Sequence, residues 1–154
     1  MSANVFIDTG VLLRFTLTGM KDPRDERKCK DQLNRYFEEG TELWISNQVI
    51  REFCVRATHS RTYEKPLSGK QVIHKVLSFP GRFRIAEETP AVRQKLLELI
   101  ESYGMEGAQI HDANYVATML EYGVDTICTL NLRHFRRFER RKIIRIDEPR
   151  ANPR

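Results

Sequence analysis

The sequence predicts an α/β protein, a parallel sheet covered by helices on both faces. Three observations predict it. Five short apolar runs, at 5–7, 43–46, 83–86, 126–129 and 143–146, suit buried strands. Longer stretches between them carry apolar residues at helical spacing. Several of those stretches open on a capping residue or close on glycine. Strands alternating with helices in this way form a parallel sheet, whose sites lie beyond the carboxyl ends of the strands.

The elements follow in order. The run 5–7 is the first strand, and Asp8-Thr9-Gly10 ends it and caps a helix over 11–17. A connector at 19–23 leads to a charged amphipathic helix over 24–39, closed by Gly40. The second strand, 43–46, runs into a helix over 47–58 with Val49, Ile50, Phe53, Cys54 and Ala57 on one face. A polar loop at 59–66 precedes a helix from 67 to about 79, and Pro80-Gly81 turns the chain into a third strand at 83–86. Thr89-Pro90 is a hydroxyl cap followed by proline at the first helical position, and that helix runs to Tyr103 and stops at Gly104. A helix over 108–122 ends at Gly123. The strand 126–129, a short helical turn and the strand 143–146 complete the chain.

The 154 residues suit one domain, 1–154, with a distinct basic segment at 133–154. With 40% apolar and 31% charged residues the composition is that of an ordinary globular protein. No stretch approaches the ~20 apolar residues of a membrane-spanning helix. The start of the chain lacks the basic and apolar segments of a signal peptide, so secretion is not expected. Three widely spaced cysteines without a C-x-x-C pair suit a reducing cytoplasm.

The net charge of +5 is uneven. Residues 133–154 hold 9 Lys and Arg against 3 Asp and Glu, whereas 1–132 hold 17 against 18. A basic block of this kind suits a polyanion, because neutralising phosphates releases condensed counterions. A solvated basic helix, or a surface for an acidic partner, would carry the same pattern. Phe135 and Phe138 interleave with the arginines at helical spacing, which suits docking of the segment.

Three acids have chemistry to offer. Asp8 stands at the carboxyl end of the first strand, Glu52 on the helix after the second, and Asp112 in the first turn of its helix. Singly, each has an ordinary explanation: a helix cap, a pair with Arg56 one turn on, and a favourable contact with a helix N-terminus. Together at one sheet edge they would repel unless a cation sat between them. All-oxygen ligands suit Mg²⁺ or Mn²⁺, and such an ion can stabilise charge on a phosphodiester. A basic segment beside the acids would hold the polyanion.

These residues carry a resemblance. Val5-Phe6-Ile7-Asp8-Thr9-Gly10-Val11-Leu12, then Ile45-Ser46-Asn47-Gln48-Val49-Ile50-Arg51-Glu52-Phe53, then Ile110-His111-Asp112-Ala113-Asn114-Tyr115-Val116-Ala117-Thr118-Met119-Leu120-Glu121-Tyr122-Gly123, then Thr129-Leu130-Asn131-Leu132-Arg133-His134-Phe135 follow one another in the order seen in the PIN-domain family. Within it the chain is similar to the VapC-type ribonuclease toxins of toxin–antitoxin pairs, across 5–146. The resemblance implies a three-layer α/β/α sandwich with a central parallel sheet, and a Mg²⁺/Mn²⁺-dependent endoribonuclease. By carry-over Asp8 and Asp112 bind metal, Glu52 binds it directly or through water, and Asn131 matches an Asn/Asp position of the last motif. Arg133, Arg136 and Arg137 would hold the RNA backbone. A cognate antitoxin and a second copy of the chain are the implied partners, in the cytoplasm.

The chain departs from the family pattern at two positions. His134 stands where the last motif commonly has its final acid, and Gly10 where Ser or Asn is common. The first departure leaves open a weakened PIN-fold module that binds RNA or an antitoxin without cleaving. His134 itself reads as a helix-end or surface residue. His59, His74 and His111 show no metal spacing, Cys54, Cys128 and Trp44 read as core, and Cys29 as exposed. No Gly-rich phosphate loop or serine-nucleophile motif is present.

Overall fold

The computed structural model describes residues 3–154; the expectation of no signal peptide falls partly on residues 1 and 2, which lie outside the described residues. The elements run β1 (Asn4–Ile7), α1 (Thr9–Thr16), α2 (Glu26–Glu38), β2 (Glu42–Ser46), α3 (Asn47–Ala57), α4 (Gly69–Leu77), a 3-10 turn at Phe79–Gly81, β3 (Arg84–Ala86), α5 (Pro90–Tyr103), α6 (Gln109–Glu121), β4 (Thr126–Cys128), α7 (Leu132–Arg140) and β5 (Arg145–Asp147).

All strand pairs are parallel, in the order β3-β2-β1-β4-β5. The chain therefore steps outward from β1 through β2 to β3, then crosses back to β4 on the other side of β1. Right-handed crossovers in opposite directions put their helices on opposite faces of the sheet. Helices α1 to α4 cover one face and α5 to α7 the other, which makes the three-layer α/β/α sandwich. The reversal of direction falls between β1 and β4, so the crevice for a ligand opens at the carboxyl ends of those two strands.

The core is what the apolar runs dictate. Phe6, Ile7, Leu43, Ile45, Ile127 and Cys128 are buried in the sheet, and Leu12, Leu13, Leu33, Phe53, Val116 and Met119 are buried from the helices. Ser46 accepts a hydrogen bond from the Val49 amide at 3.3 Å, so α3 starts directly off β2 with no loop. Thr89 caps α5 in the same way, with Pro90 in the first turn as the sequence predicts. Gly104 ends α5 in the left-handed region at φ 59°, a conformation glycine adopts without a Cβ penalty.

Three expectations change. The final strand is Arg145–Asp147 rather than 143–146, because α7 ends in a turn with Lys142 at positive φ and Ile144 is spent filling the core beneath it. The short turn after β4 is a nine-residue helix, anchored by Phe135 and Phe138. Cys29 is fully buried, since α2 turns its Cys29/Leu33/Tyr36 stripe inward despite a polar sequence. Among the described residues no helix is long and apolar enough to cross a membrane.

Candidate metal centre

The site forms where β1, α3 and α6 meet at the carboxyl edge of the sheet. Asp8 follows the last residue of β1. Its amide donates to the Cys128 carbonyl at 3.1 Å, a final ladder bond to β4. Its own carbonyl accepts from the Val11 and Leu12 amides, which starts α1. Asp8 therefore sits in an N-cap position, but its side chain makes no cap bond to the helix. Instead Oδ2 accepts the Thr129 hydroxyl of the adjoining β4 edge at 2.6 Å. The same Thr129 oxygen accepts the Asn131 amide at 2.9 Å, which fixes the turn into α7.

Asp8 is 6% exposed. Burial pushes its carboxyl above the ordinary range, the Thr129 hydroxyl and the Thr9 amide oppose the shift, and Glu52 adds to it. Asp112, in the first turn of α6, is likewise raised. Burial is again the leading cause, His134 opposes it, and Asp8 and Glu52 add to it. The three carboxylates thus act on one another electrostatically, although α1, α3 and α6 are far apart in the chain.

Glu52 is held by neutral donors, not by Arg56. Its Oε2 accepts the Thr9 hydroxyl at 2.9 Å and the Tyr115 hydroxyl at 2.5 Å, and those two hydroxyls lie 2.6 Å apart. Its Oε1 accepts only Gln48 Nε2, at 3.1 Å. Gln48 also donates to the His111 carbonyl at 3.2 Å and accepts from Asn114 at 2.7 Å, tying α3 to α6. One oxygen of Glu52 is thereby committed to the protein and the other left with acceptor capacity.

Neither Asp8 nor Glu52 forms an ion pair among the described residues. Among the described residues the one ionic neighbour of Asp112 within 4 Å is His134, whose Nδ1 lies 3.6 Å from Asp112 Oδ2. Buried or half-buried carboxylates without a pairing cation are costly in a polar-poor setting. A hard cation with oxygen ligands relieves that cost, so the donor set fits Mg²⁺ or Mn²⁺. Among the described residues no three His, Cys, Asp or Glu side chains are placed closely enough together to hold a metal ion.

Beside Asp112 opens a cavity of about 360 Å³, floored by Met105, Ala108 and Gln109 and walled by Asp112, Arg133, His134 and Arg137. Helix α7 presents Arg133 and Arg137 to it, one turn apart, because Phe135 and Phe138 turn inward. Arg136 faces elsewhere and pairs with Glu139 at 3.7 Å. Asn131 stands exposed at the head of α7, and its side chain makes no cap bond. Gly10 is buried. A Cβ there would meet Arg14 Nη1 at 3.4 Å and Arg56 Nη1 at 3.7 Å, so two guanidinium groups occupy the space a longer side chain would need.

Four site residues escaped the sequence reading: Thr9, Gln48, Tyr115 and Thr129. Gln48 stands one helical turn before Glu52 and Tyr115 three residues after Asp112 on one face of α6, spacings that could have flagged both. Thr129 opens the last motif, but no helical spacing gave its role, which depends on β4 lying beside β1.

The family model of the PIN domain matches residues 5–141. No curated protein matches the chain. Solved structures similar to it include VapBC2 from Rickettsia felis, bound to a DNA fragment from the promoter, at 17% identity and a TM-score of 0.62, covering 94% of this chain and 98% of that one. DNA-bound VapBC from Salmonella typhimurium is similar at 19% identity and 0.62, covering 95% and 98%. VapC20 of Mycobacterium tuberculosis, a Sarcin-Ricin loop cleaving toxin, is similar at 14% identity and 0.57, covering 80% and 86%.

Proposed function

The chain belongs to the PIN-domain family, and from that premise we propose that it is a metal-dependent endoribonuclease, the toxin of a toxin–antitoxin pair working in the cytoplasm. One observation carries the reading. Thr9, which follows Asp8, and Tyr115, one helical turn after Asp112, both donate to Glu52, so the segments bearing the three acids meet at the switch point of the sheet, and no Lys or Arg pairs with any of the three among the described residues.

In this reading Asp8 and Asp112 hold Mg²⁺ or Mn²⁺, with Glu52 binding directly or through water. The ion, when bound, supplies Lewis-acid stabilisation of charge at the phosphodiester and acidifies water. Glu52, its Oε2 locked by Thr9 and Tyr115, directs Oε1 at the attacking water and takes up its proton. In-line attack at phosphorus breaks the P–O3′ bond and leaves a 5′-phosphate, and the departing 3′-oxygen takes a proton from solvent to become a 3′-hydroxyl. Arg133 and Arg137 hold flanking phosphates in the adjoining cavity, Arg136 extends the basic surface, and Asn131 orients the substrate through its side-chain amide. The neighbours that are toxin–antitoxin complexes support an antitoxin partner. In this reading its tail covers the acidic pocket, and a second copy of this chain completes the assembly.

The test is cleavage of a fluorogenic RNA with Mn²⁺, with and without chelator. Asp8→Asn or Asp112→Asn abolishes metal-dependent cleavage and keeps the fold. Unchanged turnover in either variant removes that carboxylate from the mechanism. A second reading is a PIN-fold module that binds RNA or an antitoxin without cutting, favoured by His134 in place of an acid and by the finding that no three acids or histidines among the described residues are grouped to hold an ion. Retained RNA binding with no cleavage at high protein concentration selects it.

A further inference from the structure

We infer that Arg14 and Arg56 form a second phosphate-binding site, on the Glu52 side of the acids, which holds the RNA strand at the end away from Arg133 and Arg137. The inference rests on the ribonuclease reading above and adds a path to it. The strand crosses the carboxyl edge of the sheet, from one helical layer to the other.

Gly10 stands in the first turn of α1, two residues after Asp8, at a position where this chain departs from its family. A Cβ there would lie 3.4 Å from Arg14 Nη1 and 3.7 Å from Arg56 Nη1, so two guanidinium groups converge on the one bare spot. Arg14 donates to the Gly10 carbonyl at 2.9 Å and to the Arg24 carbonyl at 3.3 Å, which leaves its Nη2 uncommitted. Arg56 stands one turn after Glu52 on α3. Among the described residues its side chain makes no hydrogen bond, and no carboxylate lies within 4 Å of either arginine. Like charges held this close repel, and an anion between them turns that repulsion into attraction. Tyr63 adds a third group. It is buried, and its hydroxyl has no hydrogen-bond partner among the described residues. Burial pushes the phenol up to about 12 against the pull of Arg56 and Arg14, so a protonated, unused donor lies within the field of both guanidinium groups.

The surroundings identify the anion. A cavity of about 290 Å³ opens on this side, lined by Arg51, Glu52, Val55 and Arg56. Arg51 and Val55 form one row of α3 and Glu52 and Arg56 the next, each pair one turn apart. Val55 is 60% exposed and offers an apolar contact to a sugar or a base. The Asp112 cavity, with Arg133 and Arg137, lies in the layer of α6 and α7 on the other face of the sheet. Two basic cavities therefore flank the acids. Planar guanidinium groups match the oxygens of a phosphate. A free phosphate fills one cavity only, whereas a nucleic-acid strand carries an anion at every unit and reaches both at once.

The experiment measures binding of a fluorescein-labelled single-stranded RNA of mixed sequence by anisotropy, over a salt series and in chelator so that no strand is cut. The wild type, Arg56→Gln, Arg56→Lys, Tyr63→Phe and Arg145→Gln are compared, and urea denaturation reads the fold of each. The Tyr63 hydroxyl has no partner to lose, so Tyr63→Phe keeps the fold. Arg145 pairs with Asp125 at 3.8 Å at the start of β5, on the opposite edge of the sheet, and controls for net charge. Arg56→Gln should weaken binding about tenfold and lower the salt slope by about 0.7, the share of one phosphate on a single strand. Arg56→Lys, which keeps the charge, should restore the slope. Tyr63→Phe should weaken binding about threefold with no loss of stability, and Arg145→Gln should leave the slope as it is. An unchanged slope in Arg56→Gln, where removal of Arg133 and Arg137 lowers it, overturns the inference and leaves the ribonuclease reading standing. An equal loss in Arg145→Gln reduces the effect to net charge and overturns it too. No RNA binding by the wild type, in chelator or with Mn²⁺, overturns both.

Discussion

Replacing Asp8 with asparagine should stabilise the metal-free protein while removing its response to metal. The Asp8 carboxylate is almost wholly buried, has one strong acceptor bond, from Thr129 at 2.6 Å, and has no pairing cation. A charge-assisted bond returns about 1.5–3 kcal/mol, and burying the charge costs several. Asparagine keeps an acceptor for Thr129 at about 1 kcal/mol and carries no charge. A gain on the order of 1–2 kcal/mol follows, or roughly 2–8 °C in a domain of this size. The sign with pH is set by the direction of the shift. The folded protein raises the Asp8 pKa, so it binds the proton more tightly than the unfolded chain. Wild type and variant are therefore equal below the unfolded value of ~3.9. They diverge as pH rises through the raised folded value, where the wild type loses stability, and stay apart above it. Urea denaturation with chelator, from acid to neutral pH, reads this directly. Saturating Mn²⁺ should then lift the wild type by about 2.7 kcal/mol at a hundredfold excess over Kd and leave Asp8→Asn unmoved. A variant less stable than wild type at neutral pH in chelator, or one equally stabilised by Mn²⁺, refutes the reasoning.

Tyr115→Phe removes the hydroxyl that holds Glu52 Oε2. Stability should fall by about 1–2 kcal/mol and RNA turnover by about tenfold, with RNA affinity unchanged, and equal turnover in both proteins would deny Tyr115 its positioning role. Neutralising Arg133 and Arg137 together should reduce the slope of RNA affinity against salt by about 1.4, two phosphates at ~0.7 each, and an unaltered slope would detach the basic cavity from substrate binding. Cys29 is buried and its thiol is pushed up to about 12, so it should resist thiol reagents in the native protein and react only on unfolding. Rapid labelling under native conditions would contradict that burial.

The local part of this protein was written in the chain. Periodicity placed α1 to α6 within a few residues of their observed ends, because amphipathic stripes and caps such as Thr89-Pro90 act over one or two turns. The order of motifs from Asp8 to Asn131 was legible for the same reason, since each acid stands beside the strand end or helix start that aims it. Cys29 was misplaced because a polar helix can still bury a narrow stripe, and only the partner surface reveals which side is covered.

What the chain could not disclose was adjacency. That β4 lies against β1 is decided by the crossover after β3, and from it follow the Thr129 bond to Asp8 and the switch-point crevice. Likewise, that Glu52 rests on Thr9 and Tyr115, and that His134 leans over Asp112, comes from packing between helices far apart in sequence. Periodicity reports the face a residue occupies. The neighbour it meets there is set by how the layers close over one core, a property of the whole fold and of no single segment.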